Sequence, residues 1–346
     1  MENSRGLLAV ILIMLILSSA GCSLTKGHTP PIPAQNAVAV LEPVNLGDME
    51  QWLLIRGEDR NNPVLLWLHG GPGSAQMPIA HAFNSEMEKD FIVVHWDQRG
   101  AGKSNPRNFD ESTMTIKQYV QDAHELTLYL KEEYNQEKIY LLGHSWGTQF
   151  GILLAQAYPE DYHAYIGVSQ VVDPLRNGDL SWPWLATQVE ISGSQKDQKR
   201  LQKLGGPPFA EHDRYVSFAK MIEAYGGGTD IPFSRLVQAA LAAPEYTLRN
   251  YPAWFNGANR GSGPMWDSTL DFNLMEDVPR LEVPTYFLMG VNDHNTDPRL
   301  VQEYLEVLEA PHKEIILFEN AAHTPFLSQP STFHETLRRI LRETQP

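Results

Sequence analysis

The stretch that most constrains this chain is a serine between two glycines where the pattern changes from strand to helix. Lys138-Ile139-Tyr140-Leu141-Leu142 is dominated by apolar residues and reads as a buried strand. It runs directly into Gly143-His144-Ser145-Trp146-Gly147, after which Phe150, Leu153, Leu154 and Ala157 recur at helical spacing until Pro159 ends the pattern. A strand that becomes a helix within five residues belongs to a sheet with helices packed on its faces. The two glycines permit a tight turn that pushes the serine into the open at the helix N-terminus, where the helix dipole favours negative charge. The same motif also reads as a packing turn whose serine only caps a helix.

The rhythm repeats along the chain. Val64-Leu65-Leu66-Trp67-Leu68 lies between Pro63 and a glycine cluster, and Phe91 to Trp96, Pro284 to Met289 and Glu314 to Phe318 are further apolar runs that lead into polar turns. The fold class expected is α/β, a mainly parallel sheet flanked by helices, with core segments 37–172 and 273–346. With 346 residues and 42% hydrophobic content, the chain can bury such a core unaided. Between about Asp173 and Phe272 the strand rhythm gives way to helical stretches, which predicts an inserted helical cap over 173–272. Four of the eight tryptophans, Trp182, Trp184, Trp254 and Trp266, fall there. They read as an aromatic lid over a pocket, with Trp254 a substrate contact, or as a small satellite core.

The N-terminus carries one Arg, an apolar run from Leu7 to Leu17, then Ser18-Ser19-Ala20-Gly21-Cys22. Eleven apolar residues are too few to span a bilayer core, which needs about 20, so residues 1–22 read as a signal peptide. They resemble a lipoprotein signal, with Cys22 lipidated as the mature N-terminus, although Ser19 stands where leucine is usual. Cys22 is the single cysteine, so no intrachain disulfide forms. The proline-containing stretch 23–36 is expected to act as a tether. The localisation expected is an exported, membrane-anchored lipoprotein, with a soluble secreted protein as the alternative. A formal net charge of −15 argues against a nucleic-acid partner.

A serine hydroxyl needs a base and a carboxylate to orient it, and in a strand-turn-helix setting these follow in the order serine, acid, histidine. The run ending at Met289 leads into Gly290-Val291-Asn292-Asp293, which makes Asp293 the candidate acid; Asp297 is the rival, although its place before Pro298 suits a helix start. The turn after Phe318 carries His323, the candidate base. His294 and His334 are weaker contenders, while His81, His212 and His312 read as surface or satisfied residues. An oxyanion would be held by the N–H of Trp146 and by one from His69-Gly70-Gly71-Pro72-Gly73, assigned to Gly71. Gly102-Lys103-Ser104 ends like a phosphate loop, but Asp97 stands where such a loop has its first glycine. No zinc-binding pattern occurs in the sequence, and neither a metal nor a cofactor is implied.

Taken together, HGGPG at 69–73, DQRGAGKS at 97–104, GHSWGTQFG at 143–151, GVND at 290–293 and the late His323 resemble the prolyl aminopeptidase (proline iminopeptidase) family of α/β-hydrolases. The resemblance covers residues 40–172 and 273–346. It implies the α/β-hydrolase fold and release of N-terminal residues, often proline, from short peptides through an acyl-enzyme. It also implies cap glutamates that hold the substrate amine. Residues 249–255 contain no glutamate. Glu190, Glu223 and Glu245 remain as candidates, each also readable as a solvated helix charge. A carboxylesterase on small acyl esters and a non-catalytic binding lipoprotein are the alternatives.

Overall fold

The computed structural model describes residues 27–345. Residues 1–22, read from sequence as a signal peptide ending at Cys22, lie outside the described residues. Eight strands form one sheet in the order β1-β2-β4-β3-β5-β6-β7-β8: β1 Val38–Leu46, β2 Met49–Gly57, β3 Val64–Leu68, β4 Ile92–Asp97, β5 Ile139–His144, β6 Tyr162–Val168, β7 Thr285–Gly290 and β8 Lys313–Phe318. β2 pairs antiparallel with both β1 and β4, and all other pairs are parallel. This is the α/β class the apolar runs imply. Every residue of β3, β4, β5 and β7 is buried, because helices cover both faces of the sheet.

Helix α1, Ile116–Glu133, shows how such a face is built. Thr115 caps it by accepting from Gln118 N, and Tyr119, Ala123, Leu126 and Leu130 recur on the stripe that packs on the sheet. Helix α2, Gly147–Ala157, follows β5 and buries Phe150, Ile152 and Leu154 in the same cluster. The DQRGAGKS segment is structural. Arg99 forms a bidentate pair with buried Asp122 at 2.8 and 3.0 Å, and Asp97 accepts from Lys103 N at 2.7 Å and from the Tyr246 hydroxyl.

Between β6 and β7 the chain leaves the sheet through α3 (Pro174–Ser192), α4 (Gln195–Leu204), α5 (His212–Ala224), α6 (Phe233–Ala242) and α7 (Tyr251–Ser262). These helices have a small core of their own, with Leu185, Val189, Phe209, Phe218, Met221 and Ile222. Helices α8, Pro298–Val307, and α9, Pro330–Thr344, complete the layers. From Gly27 onward the stretch read as a tether is docked. Gly27 N donates to Pro244 O at 2.6 Å, and Arg56 reaches Pro30 O at 2.8 Å. Among the described residues no helix is long and apolar enough to cross a membrane.

Candidate active site

The strand order reverses between β3 and β5, where the carboxyl ends of the two strands leave a crevice. Ser145 stands at the end of β5 with φ +54°, a left-handed conformation uncommon for a serine. The surroundings over-determine that turn. Ser145 N donates to Val168 O at 3.0 Å, and its carbonyl accepts from Thr148 N at 2.8 Å and Thr148 Oγ1 at 2.6 Å. A Cβ on Gly147 would collide with the carbonyls of Leu68 and His69, and one on Gly70 would lie 2.8 Å from the Ser145 Cβ. These glycines let the turn after β3 and the turn after β5 touch.

Asp293 in the turn after β7 and His323 in the turn after β8 meet each other, and His323 lines the same cavity as Ser145. His323 Nδ1 lies 2.9 Å from Asp293 Oδ2, so the proton sits on Nδ1 and Nε2 is left as the basic nitrogen. Thr296 Oγ1 donates to the same oxygen at 2.7 Å, while Asn295 N and Thr296 N donate to Oδ1 at 2.9 and 3.0 Å. Burial alone would raise the Asp293 carboxyl, but the charge and hydrogen bond of His323, with the Thr296 bonds, hold it below the usual range. Burial alone would lower His323. Asp293 beside it, with Asp230 and Glu223 farther off, holds it above the ordinary imidazole value instead.

His144 fixes the histidine from behind. Its Nε2 lies 3.0 Å from the His323 carbonyl, which can only accept, so Nδ1 is bare and accepts from Gln76 Nε2 at 2.9 Å. Gln76 Oε1 in turn accepts from Trp67 Nε1 at 2.7 Å, and Ser169 Oγ also donates to the His323 carbonyl at 3.0 Å. Burial drives His144 down to about 3, so the imidazole in this relay is neutral.

Gly71 and Trp146, the expected oxyanion donors, both line the cavity with Ser145 and His323. Among the described residues neither backbone N–H has an acceptor within the protein. His69 braces the first of these turns. It is held neutral, with burial taking it to about 4, and its Nδ1 donates to Gly70 O at 2.9 Å while Nε2 accepts from Gln98 N at 3.3 Å.

The cavity has a volume of about 820 Å³ and passes under the inserted helices. Its outer wall includes Tyr215, Phe233, Leu236, Trp254, Phe255 and Trp266. Trp254 is therefore in place, held by a 2.8 Å bond from its indole N–H to Ala75 O. The three glutamates proposed from sequence are not. Glu190 is exposed on α3, Glu223 accepts from Thr229 N at 2.7 Å, and Glu245 is buried against the docked N-terminal segment; none of them lines the cavity. The reading of Glu245 as a solvated helix charge is corrected as well, because it is 3% exposed and sits in the loop after α6. The acidic and basic side chains that do line it, among the described residues, are Asp173, Lys220, Asp297, His212, His144 and His323.

Asp297 caps α8 and is paired with Arg299 at 2.6 Å, so it is committed elsewhere. His294 stacks on Trp184 at 3.9 Å, and His334 is bonded to Asp90 at 2.7 Å. Thr296 and His144 were missed as site residues. The spacing Asp293-x-x-Thr296 was the local signal for the first. Among the described residues, His312, Glu314 and Glu343 bring possible metal-ligand atoms together, but Arg339 already pairs with both glutamates at 2.9 and 3.1 Å.

A family model described as the alpha/beta hydrolase fold matches residues 63–330. The chain is 33% identical over 321 residues to a Bacillus subtilis protein named probable aminopeptidase YbaC, covering 90% of this chain and 99% of that protein. It is 24% identical over 279 residues to a proline iminopeptidase of Heyndrickxia coagulans, covering 78% and 87% of the two chains. Among solved structures, the proline iminopeptidase of Mycobacterium smegmatis superposes with a TM-score of 0.64 at 19% identity, over 88% of this chain and 98% of that one.

Proposed function

The chain belongs to the α/β-hydrolase fold family, and on that premise we propose that it is a serine hydrolase that releases N-terminal residues from short peptides. The observation that carries this reading is the strained Ser145 turn sharing one cavity with a buried Asp293–His323 pair and two uncommitted backbone N–H groups. Ser145 Oγ attacks the scissile carbonyl as His323 Nε2 takes its proton. The tetrahedral oxygen receives the Gly71 and Trp146 N–H groups, and the imidazolium then protonates the leaving amine. Water, deprotonated by the same nitrogen, releases the acyl group and restores the serine. The aminopeptidase names of the relatives favour an amide with a free amine.

A small-ester substrate is the second reading, favoured by the aromatic wall and by the lack of a glutamate among the described residues that line the cavity. Purified protein should hydrolyse amino-acid p-nitroanilides, and Ser145→Ala should lose that activity by several orders of magnitude. Retention of the rate would end the serine mechanism. Turnover of p-nitrophenyl esters alone would leave an esterase, and no labelling by a fluorophosphonate probe would leave a binding protein.

We carry the lipoprotein reading into the same proposal. Labelled fatty acid should enter the full-length chain in bacterial cells and fail to enter Cys22→Ala. Equal labelling of the two proteins would remove the anchor.

A further inference from the structure

We propose that Asp230, in the turn between α5 and α6 of the inserted helices, is a positioning residue that holds the loop carrying His323 in register with the serine. This rests on the reading of His323 as the base. Asp230 Oδ1 accepts from Ala322 N at 2.6 Å, and Oδ2 accepts from Thr324 N at 2.7 Å. One carboxylate thus takes the backbone N–H groups on both sides of the histidine. Thr324 closes the contact in both directions, donating from Oγ1 to Oδ2 at 3.1 Å and accepting from Asp230 N at 3.0 Å. The same turn reaches the peptide N–H of His323 itself, which donates to Gly228 O at 3.0 Å. It also reaches the acid loop, where His294 N, next to Asp293, donates to Gly227 O at 2.9 Å.

The peptide groups of His323 are therefore gripped from opposite sides. Ser169 and His144 at the sheet hold its carbonyl, and the inserted turn holds its N–H and its neighbours. Rotating an imidazole about a loosened backbone shifts Nε2 away from the serine, and a misplacement of about 1 Å in such a group can cost about 100-fold in rate. A local explanation, in which Asp230 only completes its own turn, leaves the pair of bonds to residues 322 and 324 unexplained. Those residues are some ninety positions distant in sequence and belong to the other part of the chain.

Asp230 also brings a negative charge to the imidazole. The ionisable groups facing His323 are Asp293 from the turn after β7, Asp230 and Glu223 from the insertion, and His144 from β5, whose ring centroid lies 5.1 Å away. His144 is neutral, so three carboxylates of one sign stabilise the imidazolium. The base must be neutral to act, so kcat/KM rises with pH through the titration of His323. Removing one negative neighbour lowers that pKa and moves the acid limb to lower pH.

The test measures kcat/KM for p-nitrophenyl acetate against pH in wild type, Asp230→Asn, Asp230→Glu and Ser145→Ala, with thermal unfolding of each. In Asp230→Asn one oxygen can serve only one of the two amides, and its NH2 faces the other. The plateau should fall by roughly 10-fold to 100-fold, and the acid limb should move to lower pH. Asp230→Glu should keep the limb near its wild-type position while losing rate. Wild-type plateau and limb in folded Asp230→Asn would overturn the proposal. A lowered melting temperature with an unmoved limb would overturn it too, since that is what an ordinary structural contact does. Full activity in Ser145→Ala would instead sink the serine reading and leave the Asp230 contacts without a base to position.

Discussion

At the residue scale, the site is a set of side chains made single-purpose by their neighbours. Asp293 receives four hydrogen bonds, one from the imidazole, one from a hydroxyl and two from backbone N–H groups, so its carboxylate cannot turn away from His323. Asp297, four residues on, has the same chemistry and a different task, since its oxygens are taken by Arg299 and by the start of α8. Exchanging each for asparagine separates the two roles. Asp293→Asn should lower kcat by about 10⁴-fold, because an amide favours the wrong imidazole tautomer. Asp297→Asn keeps a capping side chain and should leave kcat within a few-fold. Amidase assays on the two folded variants check this, and the reverse ranking would move the acid to Asp297. The sequence named both candidates, and the strand that ends just before Asp293 was the reason to prefer it. Nothing local marked His144, whose role depends on Gln76 and on a carbonyl 179 residues away.

At the scale of elements, the apolar runs were legible because strands buried on both faces leave no polar alternation. β3, β4, β5 and β7 are of this kind; β3, β4 and β7 lie within one residue of their expected spans, and β5 runs two residues further, to His144. The β1–β2 hairpin was less visible. Its strands are only partly buried and carry charged and polar residues among the apolar ones, and its Gly47-Asp48 turn, with φ +53° and +58°, is a short signal. The helices of the insertion follow their own apolar spacing, but which residues they turn toward the cavity was not legible. Glu223 and Asp230 are both acidic and lie seven residues apart, Glu223 at the end of α5 and Asp230 in the turn between α5 and α6. Glu223 ties that turn together, while Asp230 bridges to the histidine loop. Sequence spacing does not distinguish an acid that closes its own turn from one that reaches across to another segment.

For the whole molecule, the buried imidazoles make stability depend on pH. Burial takes His69 to about 4 and His95 and His144 to about 3, against about 6.5 in the unfolded chain. Between those limits the unfolded state binds protons that the folded state refuses, so stability rises with pH and is lost on acidification. Asp97 works the other way. Burial raises it to about 7, so the folded state holds a proton that the unfolded chain has lost. Raised His323 likewise contributes stability at low pH that fades as pH climbs through its folded pKa. The three imidazoles of His69, His95 and His144, joined by His81 and His163, which burial also lowers, outweigh the carboxyls of Asp97 and Glu245, which burial raises, between about pH 6.5 and pH 4. The thermal unfolding midpoint should therefore drop across that interval, and calorimetry showing a flat or rising midpoint would contradict the assignment of neutral, buried histidines. The sequence by itself determined the α/β class, the strand-to-helix turn that carries Ser145, and the placement of the candidate acid and base after the last two strands. Those features are written in short-range periodicity and glycine spacing, which local sterics enforce. Only the tertiary structure decided that the three glutamates fall outside the cavity and that His144 and Asp230 grip the histidine loop. The physical reason is that side-chain direction and burial at a site built from several separate turns are set by packing between segments that sequence spacing does not relate.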